Sequence, residues 1–182
     1  MEPISTSETS LHIMVLYDGL SAGLLAKQIC DRICGRLPNG AEARLSLWRF
    51  DSMLKRGTEG RAYGDLREAD VLLVAADGCQ RLPQAVQKAL DKWLAKGPVP
   101  FGLVLILYGV EEAEKELSPT HSYLESLARK TRTDFFSQAI AAPAQNGESA
   151  LISIRRPLTV DFVWDEDSFA MSVPIAHWGI NE

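Results

Sequence analysis

Three short polar stretches hold the side chains with chemistry to offer, and each directly follows an apolar run. They are Asp18-Gly19-Leu20-Ser21-Ala22-Gly23, Asp77-Gly78-Cys79-Gln80-Arg81 and Gly109-Val110-Glu111-Glu112. The first leads into a helical pattern, so its amides can hold an anion, and Ser21 and Gly23 are the residues best suited to a phosphate. In the second, Cys79 stands beside Arg81 and close to a helix start, a setting in which thiols turn reactive. No histidine lies nearby in sequence to serve as its base. Asp77 has a plainer role, capping the turn that leads into the next helix. The third stretch continues through Glu114 and Glu116. Acids beside a phosphate site oppose it unless they point to solvent, and a solvated helix face is the simplest reading of this run.

The remaining reactive side chains read as structure. Cys30 and Cys34 are spaced to share a metal, yet both fall on an apolar stripe with Ile29 and Ile33, where free cysteine behaves as a small hydrophobe. The histidines stand at positions 12, 121 and 177, without ligand spacing, and no metal is expected. His12 interrupts an apolar run and is expected as a core or edge side chain. His121, beside Thr120 in a first helical turn, is expected to serve capping.

Strands alternating with helices must position these loops. Residues 69–94 give the clearest unit: Val71 to Ala76 is apolar on both faces, as a strand covered by helices on both sides must be. Pro83 then opens a helix in which Ala85, Val86, Ala89, Leu90, Trp93 and Leu94 recur at three- and four-residue spacing. The helix stops at Lys96-Gly97-Pro98. The same grammar predicts strands over 11–17, 44–50, 101–108 and 135–142, the second near an edge because it alternates. It predicts further helices from Ala22 to Leu37 and over 120–132. Over 51–68 only one helical turn, near Ser52 to Lys55, is expected. Such alternation implies α/β class and a parallel sheet, a three-layer sandwich with strand order 2-1-3-4-5. Beyond it, residues 150–154, 158–164 and 169–175 look like strands, so 144–182 reads as a C-terminal β-hairpin extension packed on the same domain. The domain proper spans 11–143, after a flexible N-terminus over 1–10. Trp178, so near the end, suggests a docked tail.

Composition excludes several classes. The 182 residues suffice for one domain with a sizeable core, and 46% hydrophobic with 24% charged residues is ordinary for a globular protein. A net charge of −5 and the lack of any basic run argue against nucleic acid as a partner. No apolar run approaches the roughly 20 residues a membrane helix needs, and no signal peptide is visible. A cytoplasmic location with reduced cysteines is the expectation.

Asp18 and Asp77 end the first and third predicted strands, where response-regulator receivers place an acid and a phospho-acceptor. A receiver also needs a second acid, a hydroxyl after the fourth strand and a lysine after the fifth. Gly19, Tyr108-Gly109 and Ala141-Ala142-Pro143 stand there instead, and that reading fails. A different resemblance is carried by Ala69-Asp70, Leu82-Pro83, Leu90-Asp91 and Trp93-Leu94. In order and spacing, residues 11–142 resemble the NADPH-dependent FMN reductase family, a flavodoxin-like group. The resemblance implies an FMN cofactor, a nicotinamide donor passing hydride to the flavin, and a dimer. By the same implication Ser21 and Gly23 would hold phosphate, the amides from Gly78 to Arg81 would face the flavin ring, and Gly109 would let the third loop approach, so that the cofactor-binding set is Ser21, Gly23, Asp77, Gly78, Cys79, Gln80 and Gly109. The chain departs from the family where the flavin is touched. Gly78 and Cys79 stand where the family has a tyrosine and an asparagine, and Glu111, Glu112, Glu114 and Glu116 follow Gly109 in place of a glycine-rich loop. Two functions therefore stay open: an FMN-dependent flavin or quinone reductase, with unknown catalytic residues, or a cofactor-less flavodoxin-like binding or assembly module.

Overall fold

The alternating apolar runs assemble into one parallel sheet in the computed structural model, which describes residues 10–37 and 42–141. Its strands are β1 (Ser10–Tyr17), β2 (Glu42–Arg49), β3 (Val71–Asp77), β4 (Gly102–Tyr108) and β5 (Asp134–Ile140). They lie in the order β2-β1-β3-β4-β5, and every neighbouring pair is parallel. This is the flavodoxin-like α/β architecture that the alternation predicts. The N-terminal stretch before Ser10, the C-terminal hairpin and Trp178 lie outside the described residues; Ser10 itself begins β1.

Helices cover both faces. On one side, α1 (Leu20–Gly35) packs Ala26, Ile29 and Cys30 against Ile13, Val15, Leu73 and Ala75. On the other lie α2 (Phe50–Met53), α3 (Glu59–Glu68), α4 (Gln84–Leu94) and α5 (Pro119–Thr131), over Met14, Leu16, Leu72 and Val74. Fully burying each such aliphatic side chain contributes about 1.5–3 kcal/mol. In α4 the buried residues are Val86, Ala89, Leu90, Trp93 and Leu94; Ala85 is exposed, off the stripe assigned to it. The Tyr123 hydroxyl of α5 donates to the Gln87 carbonyl of α4 at 2.9 Å. Burial, helped by Asp91, raises the pKa of that phenol and keeps it protonated. Among the described residues no helix is long and apolar enough to cross a membrane.

Residues 50–68 differ from expectation. Phe50 starts α2 as a buried residue instead of ending β2, and α3 is a full helix. Its apolar signal is thin, because only Ala62 and Leu66 are buried and Gly60 and Gly64 weaken its intrinsic propensity. Tertiary contacts hold it instead. Asp65 accepts from Trp48 Nε1 at 2.8 Å, Glu68 pairs with Arg44 at 2.7 Å, and Tyr63 lies against Trp93 with ring centroids 5.9 Å apart.

β1 and β3 are joined at their amino ends by a reciprocal pair. The His12 amide donates to Asp70 Oδ2 at 2.8 Å, and the Asp70 amide donates to the His12 carbonyl at 2.8 Å. The His12 ring is buried, with Nε2 2.9 Å from Ser46 Oγ on β2. Burial, and secondarily the Arg44 guanidinium, hold its pKa below the usual 6.5. The folded chain therefore keeps His12 neutral where the unfolded chain protonates it. Its contribution is complete above about pH 6.5 and falls as the pH drops through the window below. Urea unfolding of wild type and H12Q should accordingly give a midpoint difference that shrinks from pH 8 towards pH 5 (pH values about these); a difference independent of pH would refute the assignment.

Candidate functional site

In a sheet of this order the ligand crevice lies beyond the carboxyl ends of β1 and β3, where the strand order reverses. Three loops meet there, and each is shaped by hydrogen bonds within the chain. The β1–α1 connection is only Asp18-Gly19, because α1 begins at Leu20. Asp18 turns across the crevice: its Oδ2 accepts the Asp77 amide at 2.7 Å, and its own amide donates to the Ala75 carbonyl at 3.3 Å. Asp18 thus extends the β1–β3 pairing by one rung beyond the strands.

Ser21 and Gly23 fall inside α1. Ser21 is exposed in the first turn, where the N-terminus receives no side-chain cap. The Gly23 amide already donates to the Gly19 carbonyl at 2.9 Å, as the first helical bond. The missing side chain of Gly23 serves Tyr17, since a Cβ there would stand 2.8 Å from the tyrosine ring.

The loop after β3 is folded on itself. Asp77 Oδ1 accepts the Cys79 amide at 2.8 Å, and Asp77 Oδ2 accepts Gln80 Nε2 at 3.2 Å. The Asp77 carbonyl accepts the Gln80 amide at 3.3 Å, and the Gly78 amide donates to the Tyr108 carbonyl at 2.8 Å. Val110 covers Gly78 so closely that a Cβ on the glycine would lie 2.5 Å from Val110 Cγ2. Gly109, at φ +85°, makes the turn that brings Val110 over, and its amide donates to the Ile140 carbonyl at 2.8 Å. The loops after β3 and β4 therefore pack on each other.

Thr120 completes the arrangement from α5, and sequence reasoning missed it. Wholly buried, its hydroxyl donates to the Gln80 carbonyl at 2.9 Å and accepts the Leu82 amide at 3.1 Å. The only signal was a hydroxyl in the first turn of a helix, which suggests a local cap and not a contact 40 residues away in the chain. His121 does not cap either: it is buried, with Nε2 3.0 Å from Ser137 Oγ and its ring edge-on to Phe135. The glutamate run also departs from a purely solvated face, since Glu112 Oε2 accepts the Ala139 amide at 2.7 Å.

Cys79 and Arg81 are exposed on the rim. Cys30 and Cys34 are buried in the core as expected; burial pushes the Cys30 pKa up to about 12 and raises that of Cys34, so both are inert thiols. Among the described residues no three His, Cys, Asp or Glu side chains gather as a metal site would need. The chain matches no protein-family model, and a search of the curated proteins finds no match.

Two substitutions test this geometry. T120V strands the Gln80 carbonyl and the Leu82 amide, and should lower unfolding free energy by about 1–3 kcal/mol, with T120S losing less; equal losses would argue against the hydroxyl's bridging role. G78A should cost about 1–3 kcal/mol through overlap with Val110, and V110A in the same chain should recover part of that loss. A double-mutant cycle by urea unfolding measures the coupling, and additive effects would contradict the contact.

Proposed function

We propose that this chain is a flavodoxin-like binding or assembly module that works without a flavin. The observation that carries the reading is the Asp18 carboxylate bonded across the switch point to the Asp77 amide. An acid in that position opposes a phosphate, and it uses a backbone donor that would otherwise face the crevice. The amides of Gly78, Cys79 and Gln80, which a flavin ring would need, are all committed within the chain. Val110 lies over Gly78, where the ring would rest. These placements speak against FMN in the crevice.

For a protein partner the same edge offers a different surface. Leu20 is 76% exposed at the start of α1, with the exposed Leu24 one turn further on. Spaced four residues apart on one helix, they make an apolar strip at the start of α1.

One observation favours the flavin-reductase reading. The α1 N-terminus opens at the same edge without a side-chain cap, and the amides of Leu20, Ser21 and Ala22 precede the first helical bond. A titration separates the two readings. The purified full chain is expected to be colourless and to leave flavin fluorescence unquenched at FMN concentrations of about 1–100 μM, the range of an ordinary cofactor site. A yellow protein, or saturable quenching at one FMN per chain, would overturn the module reading and establish a flavin site.

A further inference from the structure

Among the described residues β5 is one edge of the sheet, and the turn that follows β4 lies against it. That turn is a short 3₁₀ helix, Glu112–Leu117, with no buried residue. It is attached to β5 by two side chains. Glu112 Oε2 accepts the Ala139 amide at 2.7 Å, and Lys115 Nζ donates to the Ser137 carbonyl at 3.1 Å. Glu112 and Lys115 are also ion-paired with each other.

The chemistry of this pair matches what a strand would bring. In β5 the even-numbered residues face β4, as the bonds of the Asp134 amide to Phe101 and of the Ile140 carbonyl to Gly109 indicate. Ser137 and Ala139 therefore turn their amides and carbonyls outward. In a parallel ladder a single residue of the next strand donates to one such carbonyl and accepts from the amide two residues on. Lys115 and Glu112 supply that donor and that acceptor from side chains.

The sequence of β5 gives a reason for protection. After the exposed Asp134 at its start, Phe135 to Ile140, FFSQAI, carries no charge, and two aromatics lead it. Uncharged apolar strands at an open edge are templates for pairing with another chain. The opposite edge differs: β2 carries Glu42, Arg44 and Arg49, charges that blunt an edge without further help. We propose that the Glu112–Lys115 pair is an edge guard that stops β5 from pairing with β5 of a second copy of this chain. The occupant it excludes is an antiparallel copy of the same strand, the arrangement a two-fold dimer requires. The inference is independent of whether the crevice binds a flavin.

The test compares full-length wild type, E112A/K115A and the control E125A/R129A, which removes an exposed ion pair on α5. Light scattering after size exclusion reads mass against concentration, and hydrogen exchange reads the Ala139 amide. The guard double variant should remain folded by circular dichroism and exchange Ala139 about tenfold faster in dilute solution. On concentration it should move to a larger species than wild type, with the Ala139 amide protected again. The control should follow wild type in both readouts. A folded double variant with wild-type mass overturns the proposal, whether or not Ala139 exchanges faster. Association with Ala139 left unprotected overturns it too, because the contact would then lie elsewhere. Should the double variant fail to fold, E112Q and K115M carry the same measurements. A larger species with Ala139 protected, in either of them, supports the guard; wild-type mass in both refutes it.

Discussion

β1 and β3 lie side by side at the centre of the sheet with helices on both faces, and the backbone groups at their ends need partners from side chains, water or a ligand. Two aspartates meet that requirement, one at each end. Asp70 binds the His12 amide at the amino end, and Asp18 binds the Asp77 amide at the carboxyl end. Between them the strands run in register from Ile13 opposite Val71 to Tyr17 opposite Ala75. The position of β3 against β1 decides where β4 and the connecting loops fall, so the crevice takes its form from these two carboxylates.

The same economy underlies the proposal that the crevice takes no flavin. A cofactor site in this architecture depends on backbone donors left free at the carboxyl ends of the strands. Here Asp18, Asp77, Thr120 and the Tyr108 carbonyl use the donors of the loop after β3 or the carbonyls beside them, while the α1 N-terminus keeps no side-chain cap. Val110 and Gly78 then fill the space between two loops that a planar ring would have to separate. Leu20 and Leu24 stay exposed at the start of α1, together with Ser21 between them.

The two outer strands solve a different problem. Among the described residues each has a neighbouring strand on one side alone, and each has its own means of avoiding further pairing. β2 places charges along its length, and its Arg44 also anchors α3 through Asp65 and Glu68. β5 has an apolar sequence and takes a glutamate and a lysine from the preceding turn instead. The glutamate run after Gly109, which suggests only solvation when read in the chain, supplies one of these two groups.

Much of the fold was legible because it rests on periodicity. The apolar run at Val71 to Ala76 and the stripe from Val86 to Leu94 determine a buried parallel strand and its covering helix, and their repetition determines the class and strand order. α3 was not legible, since two buried residues and two glycines make a weak local pattern that contacts from Trp48, Arg44, Trp93 and Lys92 stabilise. The site was half legible. The three loops and the capping role of Asp77 follow from local chemistry, because a carboxylate reaches the amide two residues on. The partners of Asp18, Thr120, Val110 and Glu112 lie between 27 and 59 residues away in the chain or across a loop contact. Local spacing carries no information about such pairs. The sequence by itself determined the frame and the position of the crevice, through hydrophobic periodicity. Only the tertiary structure decided that side chains of the chain occupy its hydrogen-bonding groups, because that depends on which loops the sheet brings together.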